Sequence, residues 1–335
     1  MHARLAFRAL AAVALSALTA SAVQAQASAQ QTPQVSVTGV IYTQYQYSDA
    51  PIAAKSTFDM TRAYVNVLGR FSNGISTRLT TDILPNGVGG NYVIRLKFAY
   101  AAWTPTGSSL TYKLGMINTP WVDFEETLWD YRMQGTIAVD RNGYMTAADA
   151  GFGVDGKWNN DQVNAQFVIV NGEGYAGGAG DFRKDVEARV SYRIQPTNDN
   201  SRVGGLRVSG YLGIGKVTGT GADRNRYLGM LSYRTTQYTV AGEYVSVKNA
   251  AVTGSIISAF GTYRLAPPSK IALIGRVDIV DPDNNTANDG NTRIIAGASY
   301  QLSPNVRMLA DLDRVKGQGG ATAINQFLIQ AQFVF

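Results

Sequence analysis

The sequence contains no cysteine, and its only histidine is His2. The lack of cysteine excludes a disulfide-based scaffold. With no histidine after His2, the chain lacks the side chains of Ser-His-Asp and Cys-His catalysis, and it lacks the usual ligands of zinc and copper. We therefore expect no enzymatic activity, no catalytic residue, no metal site and no cofactor.

Long apolar runs are also missing after the first thirty residues. Only 16% of the residues are charged, but a mean hydropathy of -0.09 is too polar for a helical membrane protein. The longest apolar runs have the length of strands, far short of the ~20 residues of a membrane-spanning helix. The 18 tyrosines favour membrane interfaces. A secreted soluble protein and an outer-membrane barrel are the two classes left.

The first residues have the pattern of a secretory signal peptide. Arg4 and Arg8 precede an apolar run over residues 9–20, and small residues offer cleavage after Ala25 or after Ala29. An N-terminal membrane anchor is the other interpretation, which the shortness of the apolar run disfavours. We predict a signal peptide at residues 1–25 (or 1–29) and a single barrel domain at residues 30–335. Removing the signal lowers the formal charge from +6 to +4, and the lack of a Lys/Arg-rich run argues against nucleic-acid binding.

The remaining chain alternates apolar and polar residues in segments of strand length. We count sixteen such segments, within a range of fourteen to eighteen, from Gln34–Tyr47 to Ala323–Phe335. Short turns tend to follow even-numbered segments and longer loops odd-numbered ones, which is typical of bacterial transmembrane barrels. The prediction is an all-β fold, namely a closed antiparallel transmembrane β-barrel with both termini on the periplasmic side.

The alternation assigns a face to each side chain. In the last segment Phe327, Ile329 and Phe333 share one face, and Gln326 and Gln330 share the other. A water-filled lumen explains such glutamines, so we place the charged face inward. The other interpretation is a soluble sandwich with a solvated outer face. In the fourth segment the same rule places Arg95 and Lys97 inward, with Phe98 and Tyr100 on the outer face with Ile94 and Leu96.

One stretch, residues 118–150, breaks the alternation. We predict that it folds into the barrel after strand 5 as a constriction loop. A short helix is expected after Pro120, capped by Thr119 and fixed to the wall by Trp121 and Trp129. A solvated surface helix is the other interpretation. The candidate constriction residues, mostly acidic, are Asp123, Glu125, Glu126, Asp130, Arg132, Asp140 and Arg141.

Several motifs resemble a known family. The chain ends in an aromatic strand, FLIQAQFVF, and its middle contains FDMTRAYVNVLGRF, RLTTD, KFAYAAW, GMINTPW and DAGFGVDG. These are similar to Gram-negative outer-membrane porins of the phosphate-selective porin O and P superfamily. The resemblance implies a sixteen-stranded barrel in the outer membrane, assembled as a homotrimer and in contact with lipid and lipopolysaccharide. The sequence departs from the phosphate porins in having few lysines and basic residues scattered among acids.

The neighbouring strands supply charges for the pore wall. We expect the loop acids to face a basic wall, so that a transverse field selects small ions and solutes by charge. The predicted function is passive diffusion of small hydrophilic solutes and ions, with a weak anion preference. The alternatives are a substrate-selective anion or phosphate porin and a non-conducting barrel, either an enzyme or an adhesin. The predicted wall residues are Arg62, Arg70, Arg78, Asp82, Arg95, Lys97 and Lys113.

A further acidic segment, Asp281–Gly290, resembles part of a calcium loop. It lacks the spaced glutamate that an EF-hand requires. We expect it to form an external turn.

Overall fold

The computed structural model describes residues 33–50, 55–86, 91–178 and 180–335. The predicted signal peptide and both of its cleavage sites lie outside these ranges. In the described part of the chain no helix is long and apolar enough to cross a membrane.

Sixteen strands follow one another along the chain, and each pairs antiparallel with its neighbours. β1 also pairs with β16, where Val40 lies opposite Val334, and this contact closes the barrel. Closure leaves no unpaired strand edge, as a lipid environment requires. The predicted sixteen-stranded transmembrane barrel is confirmed. The strands are β1 (Gln34–Ser48), β2 (Lys55–Arg70), β3 (Ile75–Pro85), β4 (Tyr92–Trp103), β5 (Leu110–Asn118), β6 (Ala148–Trp158), β7 (Val163–Val170), β8 (Asp185–Gln195), β9 (Gly205–Lys216), β10 (Asp223–Arg234), β11 (Tyr238–Asn249), β12 (Val252–Arg264), β13 (Ile271–Asp281), β14 (Asn291–Ser303), β15 (Val306–Gly317) and β16 (Ile324–Val334).

Two connections depart from the predicted alternation of short turns and longer loops. β11 and β12 are joined by Ala250 and Ala251 alone, with Ala250 at a φ of 54°. Conversely, the even-numbered strand β8 is followed by a long connection, residues 196–204, which leads to β9. The tight hairpin was missed because alanine is not a typical turn residue. Below, the barrel end with the connections after even-numbered strands is called the turn end.

The outer surface of the barrel is apolar and much of the inner surface is polar. Phe58, Ile94 and Leu114 point outward and are 83%, 71% and 67% exposed. Arg207 and Arg276 point inward, and both side chains are fully buried. A charge facing lipid costs about 2–4 kcal/mol near the membrane midplane, so this distribution suits a barrel in a bilayer.

A β-bulge in β4 changes the predicted faces of that strand. Thr80 of β3 pairs with Phe98, but Thr81 pairs with Leu96, which leaves Lys97 as the extra residue. The bulge reverses the alternation, so Lys97 and Phe98 both point into the barrel, and Tyr100 points inward as well. The predicted outward placement of Phe98 and Tyr100 is therefore wrong.

Strands β10–β15 carry apolar residues on their inner face. These side chains are buried, and they pack against the loop between β5 and β6. Burial of such a side chain contributes roughly 1.5–3 kcal/mol. The hydrophobic core therefore lies inside the barrel, between loop and wall. We call this surface the inner apolar wall; it consists of Leu228, Met230, Val245, Ile256, Phe260, Ile274, Ile295 and Leu309.

Candidate pore constriction

The constriction loop spans residues 119–147, between β5 and β6, and contains two helices. α1 is Val122–Trp129 and α2 is Ala138–Arg141. The loop lies inside the barrel, where it contacts strands from β8 to β16. β6 begins at Ala148, earlier than the sequence predicted. The inward fold of the loop is confirmed.

The predicted helix after Pro120 is present, but its predicted cap is not. Trp121 occupies the cap position and forms no side-chain cap hydrogen bond. The Thr119 hydroxyl instead donates to the carbonyl oxygen of Thr146, which ties the two arms of the loop together. α1 ends at Trp129, because the next residue, Asp130, has a φ of 58°.

Aromatic side chains of α1 and of its cap residue join the loop to the inner surface of the barrel. Trp121, Leu128 and Trp129 are fully buried. The ring of Trp129 lies 5.4 Å from that of Phe260, and the ring of Trp121 lies 6.0 Å from that of Tyr211. Such edge-to-face pairs contribute about 0.5–1.5 kcal/mol beyond the burial of their area.

The carboxylates of α1 do not face the opposite wall as the sequence predicted. Asp123 pairs with Arg202 near the turn end at 2.7 Å. Burial acts to raise the pKa of Asp123, but the Arg202 guanidinium brings it below its usual value. Glu125 is fully buried against the wall. The prediction that the loop acids face a basic wall across the pore is therefore wrong for these two residues.

The other loop acids near α1 are also paired with arginines. Glu126 lies 2.8 Å from Nε of Arg132, which is itself a loop residue. Asp130 lies 3.0 Å from Arg264 and 3.5 Å from Arg307, and both arginines are at the turn end of their strands. Asp123 and Asp130 thus pair with arginines outside the loop, whereas Glu126 pairs within it.

On the wall formed by β2–β4, a buried aspartate joins two arginines. Asp82 is inaccessible to solvent, and its Oδ2 lies 2.9 Å from Arg62 and 2.8 Å from Arg95. The Tyr175 hydroxyl donates to the same oxygen at 3.0 Å. Both guanidiniums keep some solvent exposure, so they present positive charge to the lumen while Asp82 fixes their position.

Lys97 differs from these arginines because it has no acidic partner. It is 7% exposed, and its ammonium group lies 4.6 Å from the ring centroid of Tyr64 and 5.5 Å from that of Phe98. Among the described residues, none accepts a hydrogen bond from it or forms a salt bridge with it. The two ring faces stabilise the cation without neutralising it.

The remaining predicted wall residues do not contact Asp82. Arg78 donates to Asn66 and Thr80, and its guanidinium stacks over Phe98 at 4.3 Å. Lys113 is buried in a pair with Asp155 at 2.5 Å. Arg70, at the turn end of β2, is exposed.

A cavity of about 600 Å³ lies between part of the loop and the wall formed by β1, β2 and β4. Its lining is rich in cations on both sides, whereas the sequence predicted an acidic loop opposite a basic wall. Asp140, on the loop side, is the one predicted acid that borders the cavity. The charged lining residues are six basic and two acidic: Arg62, Arg95, Lys97, Arg132, Arg141, Arg293, Asp140 and Asp313.

Some lining residues were not predicted as site residues. Gln134 and Thr136 come from the loop, and Tyr175 from the β7–β8 connection. No sequence signal marks them, because their position depends on the path of the loop. Arg293 and Asp313 occupy inward strand positions and form a 2.6 Å pair, so alternation does signal them.

The predicted external turn Asp281–Gly290 has the internal bonds of a turn. Asp283 accepts hydrogen bonds from the backbone of Asn285 and the hydroxyl of Thr286. These bonds occupy both carboxylate oxygens of Asp283.

The architecture is shared with solved structures of two bacterial porins and of a further bacterial outer-membrane protein. The chain matches an anion-selective porin from Comamonas acidovorans with a TM-score of 0.66 at 13% identity, over 91% of this chain and all of the other. It matches in-vitro folded OmpT of Vibrio cholerae, a trimer form, with a TM-score of 0.62 at 14% identity, over 91% of this chain and all of that one. A mutant of the Rh. blastica porin gives 0.62 at 12% identity, over 90% and 100%. The chain has the porin fold.

No protein-family model and no curated relative matches the sequence.

Proposed function

We propose that this chain is an outer-membrane porin through which small hydrophilic solutes and ions diffuse passively, with a weak preference for anions. One observation supports this above all others: the cavity beside the constriction loop is bordered by six basic and two acidic side chains. Charged side chains at a narrow point of a channel select ions by sign. The shared fold with an anion-selective porin agrees with this proposal.

The preference is weak because most of the cations are partly neutralised. Asp82 lies against Arg62 and Arg95, and Asp313 lies against Arg293. A phosphate-type porin would need a series of free cations. Among the described residues that line this cavity, Lys97 is the buried cation without an acidic partner. We therefore favour general diffusion over phosphate selectivity, and membership of the phosphate-selective porin O and P superfamily stays a prediction from the motifs.

The proposal extends to the cellular location and the oligomeric state of the chain. An apolar outer surface suits the outer membrane of a Gram-negative bacterium, with lipid and lipopolysaccharide around the barrel. A homotrimer is consistent with the trimer form of OmpT. We propose no enzymatic role, because the sequence after His2 contains neither histidine nor cysteine. Crosslinking of the protein in native membranes would test the trimer, and a monomeric band alone would contradict it.

Reversal potentials in planar bilayers under a potassium chloride gradient test the central proposal. We expect open channels whose reversal potential lies between zero and the equilibrium potential of chloride. A barrel that inserts but does not conduct would contradict the porin function, and it would reopen the enzyme and adhesin alternatives. A conducting channel that selects cations would retain the porin function and contradict the anion preference.

A further inference from the structure

Two glutamates meet in the contact between the constriction loop and the barrel wall, away from the cavity. Glu125 of α1 is fully buried, and Glu243 on the inner face of β11 is 5% exposed. Their carboxyl groups lie within hydrogen-bonding reach of one another. Among the described residues, Oε1 of Glu125 and both oxygens of Glu243 lack a donor.

The surroundings do not neutralise both carboxylates. Arg276 on β13 is buried, but its Nε donates to Asp278 at 2.8 and 2.9 Å. Asp278 also accepts a hydrogen bond from Ser258 on β12 at 2.7 Å. The cluster therefore holds three buried carboxylates and one buried guanidinium.

The next cation does not correct this balance. Arg141 of α2 acts electrostatically on the same region, but it donates to Gln134 and Thr136 and lies 3.6 Å from Asp313. Two adjacent buried carboxylates that lack a cation of their own are too costly to ionise together, so one of them keeps its proton.

We propose that Glu125 and Glu243 share one proton, and that the resulting O–H···O bond makes Glu243 a positioning residue that holds α1 against the barrel wall. The bond joins the loop to β11, one of the strands of the inner apolar wall. The expected effect on conductance rests on the proposed porin function, whereas the shared proton between the two glutamates does not.

The sign of the pH dependence follows from the burial. Burial, opposed by Arg276, raises the pKa of Glu125 above its usual value. A carboxyl group with a raised pKa in the folded state stabilises that state at low pH, and the stabilisation is lost as pH rises through the raised pKa. The contact between α1 and β11 should therefore weaken toward alkaline pH.

Trp121 provides a local reporter of this bond, since its indole Nε1 donates to Oε2 of Glu125 at 2.7 Å. Trp103 and Trp158 point outward and are 50% and 40% exposed. Replacing both by phenylalanine leaves the fluorescence of Trp121 and Trp129, which both belong to α1 and its cap.

The experiment titrates this background protein, folded in detergent, from about pH 5 to about pH 9, above the range of an ordinary carboxyl group. We expect a sigmoidal change in tryptophan emission and a matching rise in single-channel conductance. Glu243→Gln should abolish the transition and keep the loop attached, because the amide N–H replaces the shared proton. Glu125→Gln tests the same bond from the loop side if the strand variant does not fold.

Asp155→Asn is the matched control, because Asp155 is a lumen carboxylate that pairs with Lys113 and does not touch α1. It should keep the transition. A flat titration of the background protein, or an unchanged midpoint in Glu243→Gln, would overturn the inference. A protein that does not conduct but shows the Glu243-dependent transition would refute only the porin function.

Discussion

The ammonium group of Lys97 lies 4.6 Å from the centre of the Tyr64 ring and has no carboxylate partner in the described part of the chain. The β-bulge makes this arrangement possible, because it turns Lys97 and Phe98 to the same side of the strand. The residue with the least neutralised charge in the cavity is thus held by aromatic faces.

Changing Lys97 to glutamate should reduce or reverse the anion preference. A permeating ion about 4 Å from a charged side chain interacts with it by about 1 kcal/mol in water. We therefore expect the chloride-to-potassium permeability ratio to fall about threefold to tenfold. Reversal potentials measure this ratio. Lys270→Glu, an equal charge change at an exposed site at the turn end, should leave the ratio unaltered; an equal effect at both sites would show that total charge decides selectivity.

Asp82→Asn should strengthen the anion preference and weaken the barrel. The variant removes the carboxylate between Arg62 and Arg95, which lie 2.9 and 2.8 Å away, so two guanidiniums face the lumen without neutralisation. Breaking a fully buried pair costs about 3–5 kcal/mol, and the 20% and 29% exposure of the two arginine side chains reduces that cost. Reversal potentials and the temperature of barrel unfolding report the two effects, and a lower anion preference would contradict this account.

The anion preference should also rise in mild acid. Burial raises the pKa of Asp140, although the Thr136 hydroxyl opposes the shift. Asp140 borders the cavity, so its protonation removes one of the two acids there at a higher pH than for an ordinary carboxyl group. Permeability ratios measured between about pH 7 and about pH 4 should show this rise. Asp140→Asn should have the higher ratio already at neutral pH and lose that part of the pH dependence.

Gly115→Ala should destabilise the barrel where the loop begins. Gly115 has a φ of 128°, and a Cβ atom there would lie 2.3 Å from the carbonyl oxygen of Ala99 on the paired strand. Because that oxygen is backbone, relief requires the strands to shift, at a cost on the order of 1–3 kcal/mol. Gly229→Ala is the control, since a Cβ there meets no atom within 4 Å. Heat-induced unfolding followed by gel mobility compares them, and equal midpoints would contradict the prediction.

The sequence predicted the barrel well because alternation is a local property. A lipid-facing surface must be apolar over the whole length of each strand, so the pattern recurs sixteen times. The bulge at Lys97 was not predictable, since no glycine or proline marks it. Such an insertion reverses the face of every later residue, and Phe98 and Tyr100 were placed wrongly for this reason.

The site was less predictable than the fold. The position of the constriction loop was readable, because residues 118–150 lack alternation. The direction of its acids was not, since it depends on partners far along the chain. Asp123 meets Arg202, and Asp130 meets Arg264 and Arg307. Only the folded barrel brings these arginines to the loop.

The inner apolar wall has a consequence for how this barrel assembles. Eight apolar side chains on β10–β15 would face lumen water in a barrel whose loop was outside, and they are covered only when α1 and its tryptophans occupy the interior. We therefore expect loop entry and barrel closure to be coupled steps of folding. We expect that shortening the loop does not simply widen the pore. It should expose the apolar inner surface, so that the barrel closes poorly and aggregates.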